Sequence, residues 1–179
     1  ALLSCSFAHA DDYQDVNQLL RLGKPAEALV RAEKYLANKP RDPQMRFLFG
    51  VAQSDSGKTS DATATFVKLT EDFPELPEPY NNLAVLHASQ GQYDKARIAL
   101  EMAIRTNPSY ATAQENLGDV YARLASQAYD KALQLDASNT AVPSKLALIR
   151  ALFTPVTKGA RPAANMPAPN AKPAPASGG

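Results

Sequence analysis

The sequence predicts an all-α chain, a solenoid of short antiparallel helix pairs. Gly23, Gly57 and Gly91 recur at a constant interval of about 34 residues, within the range of known repeat architectures. Ala28, Ala62 and Ala96 keep the same step, and so do Pro40, Pro74 and Pro108. Other columns follow it too, as Ala32, Phe66 and Leu100, and as Phe49, Leu83 and Leu117 with Gly50, Ala84 and Gly118 directly after them. Independent columns sharing one period mark a repeated supersecondary unit, which buries its apolar face only by stacking on its neighbours.

Each column has a physical role. A large residue followed by a small one, as in Leu83-Ala84, lets a second helix approach the first while the space beside it is filled. Gly57 and Gly91 end the first helix, where a left-handed residue is favourable because glycine has no Cβ. Tyr93 opens the second helix of its unit. Ala96, Leu100 and Ala103 then follow at helical spacing as its buried stripe. Pro74 and Pro108 stop that helix and begin the turn to the next unit.

These columns resemble the tetratricopeptide-repeat (TPR) family, whose repeat has the same length. Residues 77–110 match the family pattern best, through Tyr80, Leu83, Ala84, Gly91, Tyr93, Ala96, Leu100, Ala103 and Pro108. Residues 43–76 match nearly as well. Residues 9–42 keep Gly23, Ala28, Tyr35 and Pro40 but carry Asp15 where a large apolar residue is expected, as suits a terminal unit with one face in water. The resemblance covers residues 11–153 and implies a right-handed α-α superhelix.

The fourth unit, 111–139, departs from the pattern. Asn116-Leu117-Gly118 and Tyr121 open it, and Tyr129, Ala132 and Leu133 close it. Yet Ala137, the counterpart of Pro108, arrives five positions short of a full step. The glycine turn between the helices is missing. A tight turn near Leu124-Ala125-Ser126-Gln127 is one reading. A single helix over 112–135, about 36 Å long at 1.5 Å per residue, is the other, and the absence of any breaker favours it. Such a helix cannot fold back on itself, so an apolar face is expected to be open to a second chain, and a homodimer through residues 112–135 follows as an expectation. In the stretch 140–153, Leu146, Ile149 and Phe153 fall at helical spacing. They predict a closing helix over 142–153 that caps the last unit.

Both ends differ in composition from the repeats. Residues 1–10 are small and apolar and finish in Ala8-His9-Ala10, which suits the shallow subsites of signal peptidase. They read as the rear half of a secretory signal, with an exported, periplasmic destination. Leu2-Leu3-Ser4-Cys5 also resembles a bacterial lipobox, so lipidation at Cys5 stands as the alternative, and membrane attachment is expected only in that case. From Thr154 to Gly179 there are six Pro, seven Ala, three basic residues and no acids. That composition predicts a disordered, partly polyproline-II tail.

Chemistry is sparse. Hydrophobic residues make up 45% and the net charge is +1, too neutral to indicate a nucleic-acid partner. With two His and one Cys, no paired nucleophile and base, metal-ligand cluster or phosphate-binding loop occurs. His87 lacks co-ligands and reads as a hydrogen-bonded packing residue. Glu71-Asp72 reads as solvated charge at a helix end. No catalytic residue, cofactor or metal is expected, and the chain is not read as an enzyme.

Binding to other proteins is the expected activity. The TPR resemblance implies that the first helices of successive units line a concave wall. It places Asn17 and Arg21, Val51 and Asp55, then Asn81, Val85 and Ser89, then Glu115, Asp119 and Arg123 in inward, non-packing slots. Such a groove suits an extended peptide or a helix. The Lys and Asn set with which chaperone-binding TPRs hold a C-terminal carboxylate is not reproduced, since Phe47, Val51 and Val85 occupy several of those slots. The reading is a scaffold or adaptor in the bacterial cell envelope. A lipid-anchored, wall-associated protein using its basic Pro/Ala tail is the alternative.

Overall fold

The structure is a computed structural model that describes residues 7–154. Cys5 and the tail from Pro155 onward lie outside the described residues. Of the stretch read as a signal remnant, residues 7–10 belong to the first helix and the others are outside. The described residues form eight helices and no strand: α1 Phe7–Arg21, α2 Pro25–Asn38, α3 Pro43–Asp55, α4 Thr59–Asp72, α5 Pro77–Ser89, α6 Tyr93–Thr106, α7 Ala111–Leu135 and α8 Val142–Ala151. They divide into two compact units, with the boundary after Gln127 inside α7.

In the first unit the helices pair as α1 with α2, α3 with α4, and α5 with α6, and successive pairs stack. Three turns close these pairs in the same way. Gly23, Gly57 and Gly91 have φ of 67°, 74° and 72°. The residue after each glycine donates its N–H back across the turn, Lys24 to the Leu19 carbonyl, Lys58 to Gln53 and Gln92 to His87, each at 2.9 Å. That bond and a left-handed glycine together end a helix and satisfy its last carbonyls. Helix starts are marked differently. Pro25, Pro43 and Pro77 open α2, α3 and α5, where the ring fixes φ in advance and no amide hydrogen is needed.

The repeat columns are the core. Ala28, Ala32, Ala62, Phe66, Ala96, Leu100 and Ala103 are fully buried on the second helices. Three clusters result. Val16, Ala28, Ala32, Tyr35, Met45, Leu48 and Ala52 join α1, α2 and α3. Ala62, Phe66, Leu69, Leu83 and Leu86 join α4 to α5. Ala84, Ala96, Leu100, Ala103, Ala113 and Val120 join α5, α6 and the start of α7. Gly50 shows why the small-residue column matters: a Cβ there would lie 2.8 Å from the Phe66 ring.

Polar groups fasten the first two pairs. Asp42 caps α3, its Oδ1 accepting the Met45 N–H at 2.9 Å. Its Oδ2 accepts the Tyr35 hydroxyl at 3.0 Å and also the Tyr13 hydroxyl. Burial, first of all, raises both phenols above their ordinary range, so they remain protonated donors. Asp72 is more than solvated charge, because its Oδ2 accepts from Arg46 Nη1 of α3 at 2.8 Å. That bond lowers its carboxyl below the usual range.

The fourth repeat carries no glycine turn, and α7 is one 25-residue helix. In the second unit, α8 ends at Ala151, two residues short of the expected boundary, and Leu152 and Phe153 lie in a turn. Arg150 Nη2 donates to Asp130 Oδ1 at 2.8 Å, and Lys145 Nζ lies 5.8 Å from the Tyr129 ring centre. Val142 and Leu146 are the buried face of α8.

Candidate functional site

Two of the junctions between first helices are in contact, and these give the candidate binding wall its outline. Helix α1 contacts α3 directly. Helix α5 is tied to α7 by Asn116 Nδ2, which donates to Asn81 Oδ1 at 2.8 Å. In the complete repeats, each first helix packs one face against its own second helix and turns another face outward.

Nine of the ten residues expected on that face are accessible to some degree. Arg21, Asp55, Val85, Ser89, Glu115, Asp119 and Arg123 are exposed, while Asn17 and Val51 are half-buried. Val85 is the exposed apolar residue of α5, at 36% of its free surface. Val51 is partly spent in packing, against the cluster around Phe66 and Leu83.

Asn81 corrects the expectation of an open slot. It is fully buried, and its side chain ties two repeats together instead of meeting a guest. Among the described residues its Nδ2 has no hydrogen-bond partner, an unusual condition for a buried amide. The neighbouring Asn82 donates to the Glu78 carbonyl at 3.0 Å. Two further groups are also engaged locally. Asn17 Nδ2 donates to the Tyr13 carbonyl at 2.9 Å, and Ser89 Oγ donates to the Leu86 carbonyl at 2.7 Å.

The electrostatics are mild. Asp55, the last residue of α3, is open on one side, yet partial desolvation raises its carboxyl above the ordinary range. The Tyr110 phenol, half-buried before α7, is pushed up to about 12, first by burial and then by the Glu78 carboxylate. His87 Nδ1 lies 3.2 Å from Gln92 Oε1, across the glycine turn, as a packing histidine would. Among the described residues no group of three or more His, Cys, Asp or Glu is placed to hold a metal, and no helix is long and apolar enough to cross a membrane. An open hollow of about 270 Å³ is lined by Asp15, Gln18, Leu19, Leu22 and Arg31, none of them an expected wall residue.

Sequence reasoning missed the structural parts of Phe47 and Asn116. Phe47 is half-buried, its ring centre 5.7 Å from that of Phe66, and it bridges two core clusters. Asn116 stands one full repeat after Asn82, a column that could have drawn attention to it.

Comparison with known proteins agrees with this fold. Residues 86–124 match a TPR repeat family model. The chain is 27% identical over 99 residues to the photosystem I assembly protein Ycf3 of Prochlorococcus marinus, a stretch covering 54% of this chain and 57% of that one. The chain thus spans a little over half the length of this relative. Among solved structures it is similar to YrrB, described as a TPR protein with an unusual peptide-binding site, at 26% identity and a TM-score of 0.55 over 58% of this chain and 54% of that one. It is also similar to TTC0263, a TPR protein of Thermus thermophilus, at 24% identity and a TM-score of 0.61 over 80% of this chain and 82% of that one. These findings support the TPR repeat family, and the helical solenoid is the shared fold.

Proposed function

We propose that this TPR-type chain is a non-catalytic scaffold that receives a segment of another protein along the wall formed by α1, α3, α5 and the start of α7. The observation that carries this reading is the contact of α1 with α3 and of α5 with α7, with an exposed apolar side chain at Val85. An extended peptide would lay its backbone against such a wall, with an apolar side chain over Val51 and Val85. The peptide-binding description of YrrB and the assembly role in the name of Ycf3 lend support to this reading. A cell-envelope setting is part of the proposal, and it rests on the Ala8-His9-Ala10 ending of the first ten residues.

Val85→Arg in the full chain should reduce capture of partner proteins from an envelope extract at least tenfold. Ile98→Arg, on the exposed outer side of α6, should leave capture unchanged. Equal loss from both variants, or from neither, overturns the wall as the contact surface.

A lipid-anchored, wall-associated protein is the second reading, favoured by the lipobox-like Leu2-Leu3-Ser4-Cys5 and the acid-free tail. Mass spectrometry of the native N-terminus separates the two, because a mature chain beginning at Asp11 excludes the anchor.

A further inference from the structure

In the second and third repeats the first helix presents a small residue that its own second helix covers. Gly50 lies under the Phe66 ring, and Leu83 and Ala84 are buried at 6% and 1% exposure. Gln53 is buried on the same helix as Gly50, its Oε1 accepting the Thr65 hydroxyl at 2.7 Å. The fourth repeat has the same large-small pair without the cover. Gly118 is exposed, and a Cβ built on it would meet nothing within 4 Å. Leu117 is half-buried, and Tyr121, the counterpart of Gln53, is 50% exposed. A glycine inside a helix is less stable than alanine there, and here no described residue uses the space it opens.

The missing cover is present in sequence. Ala125, Tyr129 and Ala132 repeat the stripe Ala96, Leu100 and Ala103, which is fully buried on α6. On α7 the three are only half-buried. The two halves cannot meet, because the five turn residues are absent and both lie on one continuous helix.

We infer that two copies of this chain pair their α7 helices antiparallel, so that residues 125–135 of each cover the Leu117-Gly118-Tyr121 face of the other. The contact is self-complementary under a two-fold axis, since each copy supplies one first-helix half and one second-helix half. Loss of a hinge turn is a recognised route to such an exchange. By the repeat register the second copy's Tyr129 sits on Gly118 as Phe66 sits on Gly50, and its Ala128 faces Tyr121 as Thr65 faces Gln53. The exchange is separate from guest binding at Val85, and either can fail without the other.

Two experiments on the full chain test it. Light scattering across the micromolar range should return twice the chain mass. Inserting a copy of residues 90–94 between Arg123 and Leu124 restores the full stride. It should halve that mass while circular dichroism keeps its helical signal. In a Cys5→Ser background, the pair Tyr121→Cys with Ala128→Cys should form an intermolecular disulfide, and either cysteine alone should not. Within one helix the two positions lie about 10 Å apart along the axis, too far to bridge. A single-chain mass, a doubled mass that the insertion leaves unchanged, or crosslinking by the single cysteines as full as by the pair would each overturn the exchange. Should the insertion variant not fold, the cysteine result decides alone.

Discussion

Asn116 and Asn81, 35 residues apart in sequence, share a 2.8 Å hydrogen bond between their side chains, and Asn81 is sealed from solvent. The bond joins the first helices of consecutive repeats, so it sets how one repeat seats on the next.

Removing one partner should be costlier than removing both. Asn116→Leu leaves the buried Asn81 amide with no partner at either end, and a stranded polar group costs about 1–3 kcal/mol. The double variant Asn81→Leu/Asn116→Leu should recover most of that loss. Urea unfolding of the parent and the two variants measures it. A double variant less stable than the single by another full step would show that the amides contribute more than each other's satisfaction.

Gly91→Ala and Gly50→Ala should both destabilise, for different reasons. At Gly91 an added Cβ meets nothing within 4 Å, but φ is +72°, and a left-handed alanine costs about 1–2 kcal/mol. At Gly50 the backbone is helical and the Phe66 ring is in the way at 2.8 Å. Overpacking of that kind costs about 1–3 kcal/mol. Phe66→Leu should therefore relieve Gly50→Ala and leave Gly91→Ala untouched. Equal relief of both would contradict these assignments.

Ala96→Leu tests the helix-pair register. Ala96 is fully buried in the cluster that α5 and α6 share, so the larger side chain should cost about 1–3 kcal/mol. A thermal midpoint equal to that of the parent chain would place the contact elsewhere.

The pH dependence of Asp55 has a definite sign. Partial desolvation raises its folded-state carboxyl above the ordinary value. The associated stability is therefore present in full when the group is protonated, below the unfolded value. It is lost as pH rises through the raised one. Asp55→Asn should raise the midpoint of unfolding at neutral pH, and the gain should shrink to nothing as the pH falls below the carboxylate range. Loss of stability at neutral pH would show that the Asp55 charge is used.

Much of this fold was legible because a fixed stride repeats the same packing problem. Ala28, Ala62 and Ala96 are each fully buried, and the glycines that punctuate the pairs all adopt the left-handed turn. The continuous α7 was readable from the lack of any breaker over 112–135. The wall was legible in part. Periodicity places residues within a repeat, whereas Asn81 is bonded to a residue of the next repeat, which no pattern inside one unit reveals. Asn81 and Asn82 also differ by only about 100° around the helix. The knot of Tyr13, Tyr35 and Asp42 escaped notice for a related reason, since it occurs once and therefore has no period.

The three buried clusters of the first unit follow one another along the chain, and each spans neighbouring helix pairs. A contact map of that kind is nearly one-dimensional, so denaturation can proceed by fraying from an end instead of in a single collapse. Amide exchange should then be slowest around Phe66 and Leu83, in the interior of the stack, and quicken toward α1.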